Sequence, residues 1–301
     1  MFRVCVAFLL FLAAASNTVA ANLLAQTKNN DQPDHQMTDF SLSGFCEKGK
    51  KNWDLTGKSA DIATDVIKLN DIVSNLYGAE DNVKLTAAKG DFNRQQGYLH
   101  LEKDVVVTTS SGIKLTTDSL DWDRQKELLC TKEAVNIEKQ DMIITAQGAE
   151  GYPDLKKVDL GKDVQVQIRQ NESNPQNKTQ EAKIIINCDG PLQIDYQKNI
   201  ATFNNNVVVQ SRDAIISGDI MEVYFLARDK DKVSKDNDKA GFTGSQIDKI
   251  IARGNVKITR DENVSYSDEA VYNASDRKIT LSGRPKLVIY QTEQISASSG
   301  N

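Results

Sequence analysis

From Trp53 onward, apolar and polar residues alternate along most of the chain. Val135-Asn136-Ile137-Glu138, Val164-Gln165-Val166-Gln167-Ile168 and Val256-Lys257-Ile258-Thr259 place an apolar side chain at every second position. That period puts the apolar set on one face of a strand and the polar set on the other. Val, Ile and Thr dominate these segments, and their branched side chains suit a pleated, half-buried surface. Helical periodicity is weak. The best helix candidate is Ser59 to Lys68, and its Asp-Val-Ile-Lys-Leu core fits a strand equally well. The pattern predicts an all-β protein.

The strands also recur. Val105-Val106-Val107, Val135-Asn136-Ile137 and Val164-Gln165-Val166 open at nearly equal intervals, the signature of a repeated structural unit. Each unit reads as a V-x-V strand, a short turn, a second strand ending in small or acidic residues, and a polar turn such as Arg124-Gln125-Lys126-Glu127. The second half repeats this less evenly, at Val207-Val208-Val209, Val256-Lys257-Ile258 and Leu287-Val288-Ile289, where the first interval is much the longer. That interval contains residues 228–239, a charged run that predicts a solvated loop. Asp229, Asp231, Asp236 and Asp238 in it are interleaved with lysines that neutralise a calcium site. A polar stretch at 169–182 predicts a linker, and the tail at 293–301 is small and polar.

The N-terminus sets the compartment. Met1-Phe2-Arg3, an apolar run from Val4 to Ala15 and a small-residue stretch ending near Ala20 describe a secretory signal peptide over residues 1–20. A short uncleaved anchor is the alternative, although spanning a bilayer takes about 20 apolar residues. Residues 21–39 read as a flexible lead-in. Three cysteines, Cys46, Cys130 and Cys188, remain beyond the signal; at most one pair could bridge, and no zinc spacing is present.

Composition narrows the function. The 301 residues include 37 basic and 42 acidic side chains, a net charge of −5, which lacks the basic footprint of a nucleic-acid binder. His35 and His100 are the two histidines, and neither has an evident catalytic partner in sequence. No nucleophile elbow or phosphate loop is present. Asp118, Asp121 and Asp123 read as solvated turn residues. The sequence predicts no enzyme, no metal and no cofactor.

Residues 40–168 resemble the periplasmic lipopolysaccharide-export family LptC. The resemblance rests on 51–60 (KNWDLTGKSA), 85–92 (LTAAKGDF), 112–123 (GIKLTTDSLDWD) and 144–150 (ITAQGAE). Residues 183–292 resemble the LptA or OstA-like module through 250–258 (IIARGNVKI), 266–272 (YSDEAVY) and 279–283 (ITLSG). The resemblance implies an open, twisted β-jellyroll, with two modules that can form one continuous sheet pair around an apolar groove. It further implies a non-enzymatic protein of the Gram-negative periplasm that holds the acyl chains of lipopolysaccharide. Its partners would be an inner-membrane ABC transporter complex and other jellyroll bridge proteins joined by edge-strand addition. LptC relatives keep an N-terminal anchor, whereas this N-terminus looks cleavable. Strand register puts Val105, Val107, Val135, Ile137, Val164, Val166, Val207, Val209, Val256 and Ile258 on the inward face as candidate groove lining. A structural or carbohydrate-binding β-repeat protein of the envelope is the competing expectation, and the wide, uneven spacing of the units fits a solenoid poorly.

Overall fold

In a computed structural model, the described residues are 35–46, 49–63, 65–78, 82–152, 157–170, 182–226 and 247–289. The expected signal peptide, most of the lead-in, the middle of the linker, the charged loop and the tail lie outside them. The described residues all fall within one compact unit. Among them, no helix is long and apolar enough to cross a membrane.

Among the described residues, seventeen strands make one sheet. In chain order they are β1 (His35–Phe45), β2 (Lys51–Ala63), β3 (Val66–Tyr77), β4 (Asn82–Asn93), β5 (Tyr98–Thr109), β6 (Lys114–Asp123), β7 (Leu128–Lys139), β8 (Met142–Gly151) and β9 (Lys157–Gln170). They continue as β10 (Ala182–Cys188), β11 (Leu192–Asp195), β12 (Ile200–Gln210), β13 (Ile215–Phe225), β14 (Ile247–Arg260), β15 (Asn263–Asn273), β16 (Lys278–Ser282) and β17 (Lys286–Val288). The sheet is an antiparallel meander with two places where a pair of short strands stands for one long one. Strands β10 and β11 together fill one place between β9 and β12. Likewise β16 and β17 share the outer side of β15. β1, which starts inside the expected lead-in, forms one edge of the sheet.

The helix candidate at Ser59–Lys68 is a β-hairpin. Ile62 pairs with Ile67 and Ala63 with Val66, and the buried Ile67 and Leu69 flank the exposed Lys68. The period there is two, so the segment shares its neighbours' sheet.

Most strands are interrupted in the middle. Register shifts fall between Glu102 and Val105, Thr131 and Ala134, Asn204 and Val207, and Arg253 and Val256. Positive φ recurs at these interruptions: Lys103 and Asp104 in β5, Asp163 in β9, Asn205 and Asn206 in β12, and Gly254 and Asn255 in β14. The left-handed region is open to Gly and tolerated by Asn and Asp, and such bulges bend a strand sharply. This explains why the recurring valine follows an Asp or Asn so often. The token marks a crease, and the valine after it is sealed: Val105, Val135, Val164, Val207 and Val256 are 3% exposed or less.

The creases fold the long strands so that their two halves form two facing walls, and the short strands β10, β11, β16 and β17 each supply one half. In the first wall an apolar row crosses the sheet through paired positions: Leu42, Leu55, the small Ser74, Leu85, Val107, Leu115, Ile137, Ile144, Val166, Ile186, Val209, Ile216 and Ile258. The second wall carries its own row: Ile62, Ile67, Phe92, Leu99, Trp122, Leu129, then across Gly151 to Val158, Ile194, Ala201, Val223 and Ile250. The open jellyroll expected from the resemblance is therefore a single antiparallel sheet spanning both halves of the chain.

Two apolar clusters fill the space between the walls. One runs from Phe40 to Leu129, and the other from Val135 to Ala270. The change of cluster does not coincide with the polar stretch at 169–182, which sits inside the second cluster: Val166 of β9 pairs with Ile186 of β10. It falls at β6 and β7, whose pairing lapses between Thr116 and Asp121. There the buried Thr117 and Thr131 hydroxyls approach to 3.5 Å.

The crease makes a direct prediction. Asp104 holds φ near 54°, so Asp104→Val should lower unfolding free energy by about 1–2 kcal/mol through backbone strain. Asp104→Gly should leave it unchanged or raise it. Urea denaturation of both variants reads the difference.

Candidate lipid groove

All ten expected lining residues lie on the core side of the sheet. Five of them (Val105, Val135, Val164, Val207, Val256) occupy the crease, and the other five (Val107, Ile137, Val166, Val209, Ile258) stand two positions further on, in the first wall. Seven are buried, while Val107, Val209 and Ile258 are partly buried against the clusters. The structure divides them between the two apolar clusters: Val105 and Val107 belong with the first, and the other eight with the second. The opposing wall was missed in sequence. Its signal is the alternation that precedes each crease, as in Leu99 and Leu101 before Val105.

Space between the walls opens at the β1 edge. A cavity of about 370 Å³ is lined by Met37, Phe40, Leu42, Ser43, Trp53, Ala60, Ile62, Ile67, Phe92, Arg94 and Arg124. Its residues come from both walls, so it is the interior of the folded sheet seen from its end. A second cavity of about 320 Å³ lies along the lip, between Asn52, Trp53, Leu76, Tyr77 and Gly78 on one side and Trp122, Arg124, Glu127 and Tyr152 on the other. A third, about 600 Å³, follows the crease where β6 and β7 part; Asp104, Asp118 and Asp163 line it beside Val105 and Val135.

The two tryptophans clasp the walls. Trp53 is in the row of Leu76 and Val83 near the rim of the first wall, while Trp122 is in the second wall, yet their ring centroids are 6.0 Å apart, edge to face. Such pairs contribute about 0.5–1.5 kcal/mol beyond burial. The Arg124 guanidinium lies over the Trp53 ring at 4.6 Å and near Phe92 at 5.9 Å. Trp53 needs room: a Cβ on its partner Gly44 would collide with the indole. The Trp122 indole Nε1 is buried without a hydrogen-bond partner.

The outer face holds Trp53 in place. Asp54, the next residue, accepts hydrogen bonds from Asn75 at 2.7 Å, Tyr77 at 2.7 Å and Lys51 at 3.3 Å. Ser74 Oγ donates to the Asp54 carbonyl at 2.9 Å. Burial pushes the Asp54 carboxyl up, but these donors outweigh it and hold it below the ordinary carboxylate value.

His100 does have a partner, contrary to its sequence reading. Its Nδ1 is 2.6 Å from Asp121 Oδ1 across the β5–β6 pairing, so Asp121 is not a solvated turn residue. Asp123 is one, capping the Gln125 and Lys126 amides. Burial, then the bond to Asp121, pushes the Tyr98 phenol up. Cys130 faces Asp121 in register, and burial raises its thiol, which keeps it in the weakly nucleophilic protonated form. Cys46, Cys130 and Cys188 are free thiols. Among the described residues no group of three His, Cys, Asp or Glu is placed to hold a metal ion. His35 is exposed at the start of β1.

Asp54 gives a pH-dependent prediction. A depressed carboxyl stabilises the fold fully above its unfolded value, near 3.8, and the contribution fades as pH falls through the lower folded value. Asp54→Asn should cost about 1–3 kcal/mol at pH 7, and the gap to the parent protein should narrow only below the ordinary Asp range. Thermal unfolding of both proteins from neutral to strongly acidic pH measures it.

Comparison with known proteins places the sequence in a family. Residues 2–169 match the family described as lipopolysaccharide-assembly, LptC-related. Residues 190–300 match the family of the LptA/(LptD N-terminal domain) lipopolysaccharide transport protein. Among solved structures, LptH of Pseudomonas aeruginosa, described as the LptA homologous periplasmic component of the conserved lipopolysaccharide transport device, aligns with 69% of this chain and 95% of its own. The identity is 10% and the TM-score 0.19. No curated protein matches the sequence. With the first model spanning more than half of its 301 residues, the chain belongs to the LptC-related family of lipopolysaccharide-assembly proteins, and carries an LptA/LptD N-terminal-like module in its second half.

Proposed function

We propose that this protein carries lipopolysaccharide through the periplasm by holding its acyl chains between the two walls of the creased sheet, without chemistry of its own. The observation that supports this most is the pair of apolar rows that run unbroken across the module boundary, one on each wall. Each acyl methylene taken out of water contributes about 0.8 kcal/mol, so affinity along the rows needs no specific polar site. Wall-to-wall contacts are apolar contacts, and replacing them with chain-to-wall contacts exchanges like for like. The walls are linked through the crease backbone, and opposing side chains can separate without breaking a strand ladder.

The edges fit a bridging role. Among the described residues β1 has a strand partner on one side only, β2, and its Met37 and Phe45 are exposed. At the other end Ile279, Leu287 and Ile289 are exposed on or beside β16 and β17. Unpaired edges with apolar side chains invite strand addition. In this proposal one edge receives lipid from an inner-membrane ABC transporter complex or its partner jellyroll, and the other passes it toward the outer membrane. The N-terminal segment would direct export or tether the chain.

A photo-crosslinking residue at Val135 or Val207, in cells with a lipopolysaccharide outer membrane, should give lipopolysaccharide adducts. The same residue at outward-facing Asn136 should give none. Absence of adducts at both inward positions in folded protein would overturn the proposal in favour of a closed structural β-protein.

A further inference from the structure

The turns at one end of the sheet repeat a single design. Asn93, Asp123 and Asp195 each cap the turn that follows with their side-chain oxygen, accepting from Gln96, Gln125 and Gln197 amides at 2.9 to 3.0 Å. The turns close with positive φ at Gly97, Glu127 and Asn199. Neighbouring turns are laced together: Arg94 N donates to Asp65 O, and Arg124 N to Gly97 O, both at 3.1 Å. The residue after the cap therefore stands in the same slot above the rim of the second wall each time. In the turn after β15, Asn273 holds the cap position.

What fills that slot changes along the groove. It is Arg94 and Arg124 in the first half, then Tyr196 and Ala274 in the second. Both arginines line the cavity at the β1 edge, and the remaining lining is largely apolar. Tyr196 instead packs against the second apolar cluster, where burial pushes its phenol up to about 12. Within this slot the two cations are the ones at the β1 mouth.

Arg124 is held in an unusual setting for a cation. It is half-buried, and burial lowers its affinity for its own proton. Its guanidinium faces two aromatic rings, and among the described residues no carboxylate pairs with it. Stacking uses the flat face of a guanidinium and leaves its edge N–H donors available. A half-buried charge gains from an anion that satisfies those donors, and the cavity beside it is apolar.

We infer that Arg94 and Arg124 form an anion-recognising rim at the β1 mouth, which takes the phosphate of an amphiphile whose acyl chain enters the cavity between Phe40, Trp53, Ile67 and Phe92. The inference rests on the groove as a holder of acyl chains and adds a head-group contact to it. The occupant is a phosphate-bearing amphiphile: the rim supplies positive charge, and the cavity supplies apolar wall within the same 370 Å³ space.

The test uses the full chain and three probes: dodecyl phosphate, the uncharged dodecyl maltoside of equal chain length, and inorganic phosphate. Calorimetry is run on the parent protein, R94Q, R124Q, R124K and the distant control R284Q, with circular dichroism and thermal unfolding to confirm folding. The parent should bind dodecyl phosphate more tightly than dodecyl maltoside. R124Q should weaken dodecyl phosphate by about tenfold or more, the scale of a lost charge-assisted hydrogen bond, and leave dodecyl maltoside unchanged. R94Q should act in the same direction, R124K should retain part of the preference, and R284Q should match the parent. Equal weakening of both amphiphiles in R124Q, or of neither, would overturn the anion rim while leaving the groove standing. Inorganic phosphate binding as tightly as dodecyl phosphate would make the ligand a free anion and overturn the amphiphile. Failure of both amphiphiles to bind the folded parent would remove the groove itself, and the rim with it.

Discussion

The crease is the constraint on which the rest of the molecule depends. An antiparallel meander of long strands would otherwise be a twisted ribbon with one apolar face open to water. At Lys103-Asp104, Asp163, Asn205-Asn206 and Gly254-Asn255 the backbone enters the left-handed region and the strand turns back over itself. Both halves of a strand then present apolar faces to each other, and the described residues enclose an interior with neither a second sheet nor a helical layer among them. The sealed valines after each bend anchor the base of that interior. The cost of positive φ at non-glycine residues falls where Asp and Asn hold it most cheaply, and the burial of one valine side chain, about 1.5–3 kcal/mol, offsets it strand by strand.

Because the crease runs across every module, the sheet has no natural break between the halves of the chain. Val166 and Ile186 pair across the polar stretch as directly as any neighbours in the sheet, and the second apolar cluster includes residues on both sides. The chain changes core earlier, where β6 and β7 lose their pairing and Thr117 meets Thr131. Two sequence families meeting in one chain therefore share one folded interior. Under the proposed function, the arginines at the β1 end and the apolar rows beyond them would give a path with a polar-sensitive start and an apolar course.

Much of this was legible in the residues. Period-two alternation follows directly from strand geometry, so the inward valines and isoleucines were recoverable, as was the regular beat from Val105 to Val135 to Val164. The bend before most of these valines was visible only as a recurring Asp or Asn, with Ala134 before Val135 the exception, because φ is not written in the sequence. Ser59 to Lys68 was ambiguous because a tight hairpin with Ile62 facing Ile67 leaves apolar residues at spacings that also fit a helix. His100 and Asp121 lie on successive strands, and their contact exists only once β5 and β6 are in register. Arg124 reads as part of an ordinary polar turn and Arg94 carries no signal of its own, since nothing local reveals that their turns overhang a cavity or that Trp53 lies beneath.

The two tryptophans of the chain both stand at the mouth of the proposed groove, which gives a direct measurement of its central claim. A dodecyl amphiphile brominated along its chain quenches indole fluorescence only on close approach. If acyl chains enter between the walls, the brominated amphiphile should quench Trp53 and Trp122 emission saturably, and a short water-soluble bromoalkanol at the same concentration should not. Unchanged emission across the titration, with the protein folded, would contradict a groove that admits acyl chains and leave a closed, self-packed sheet.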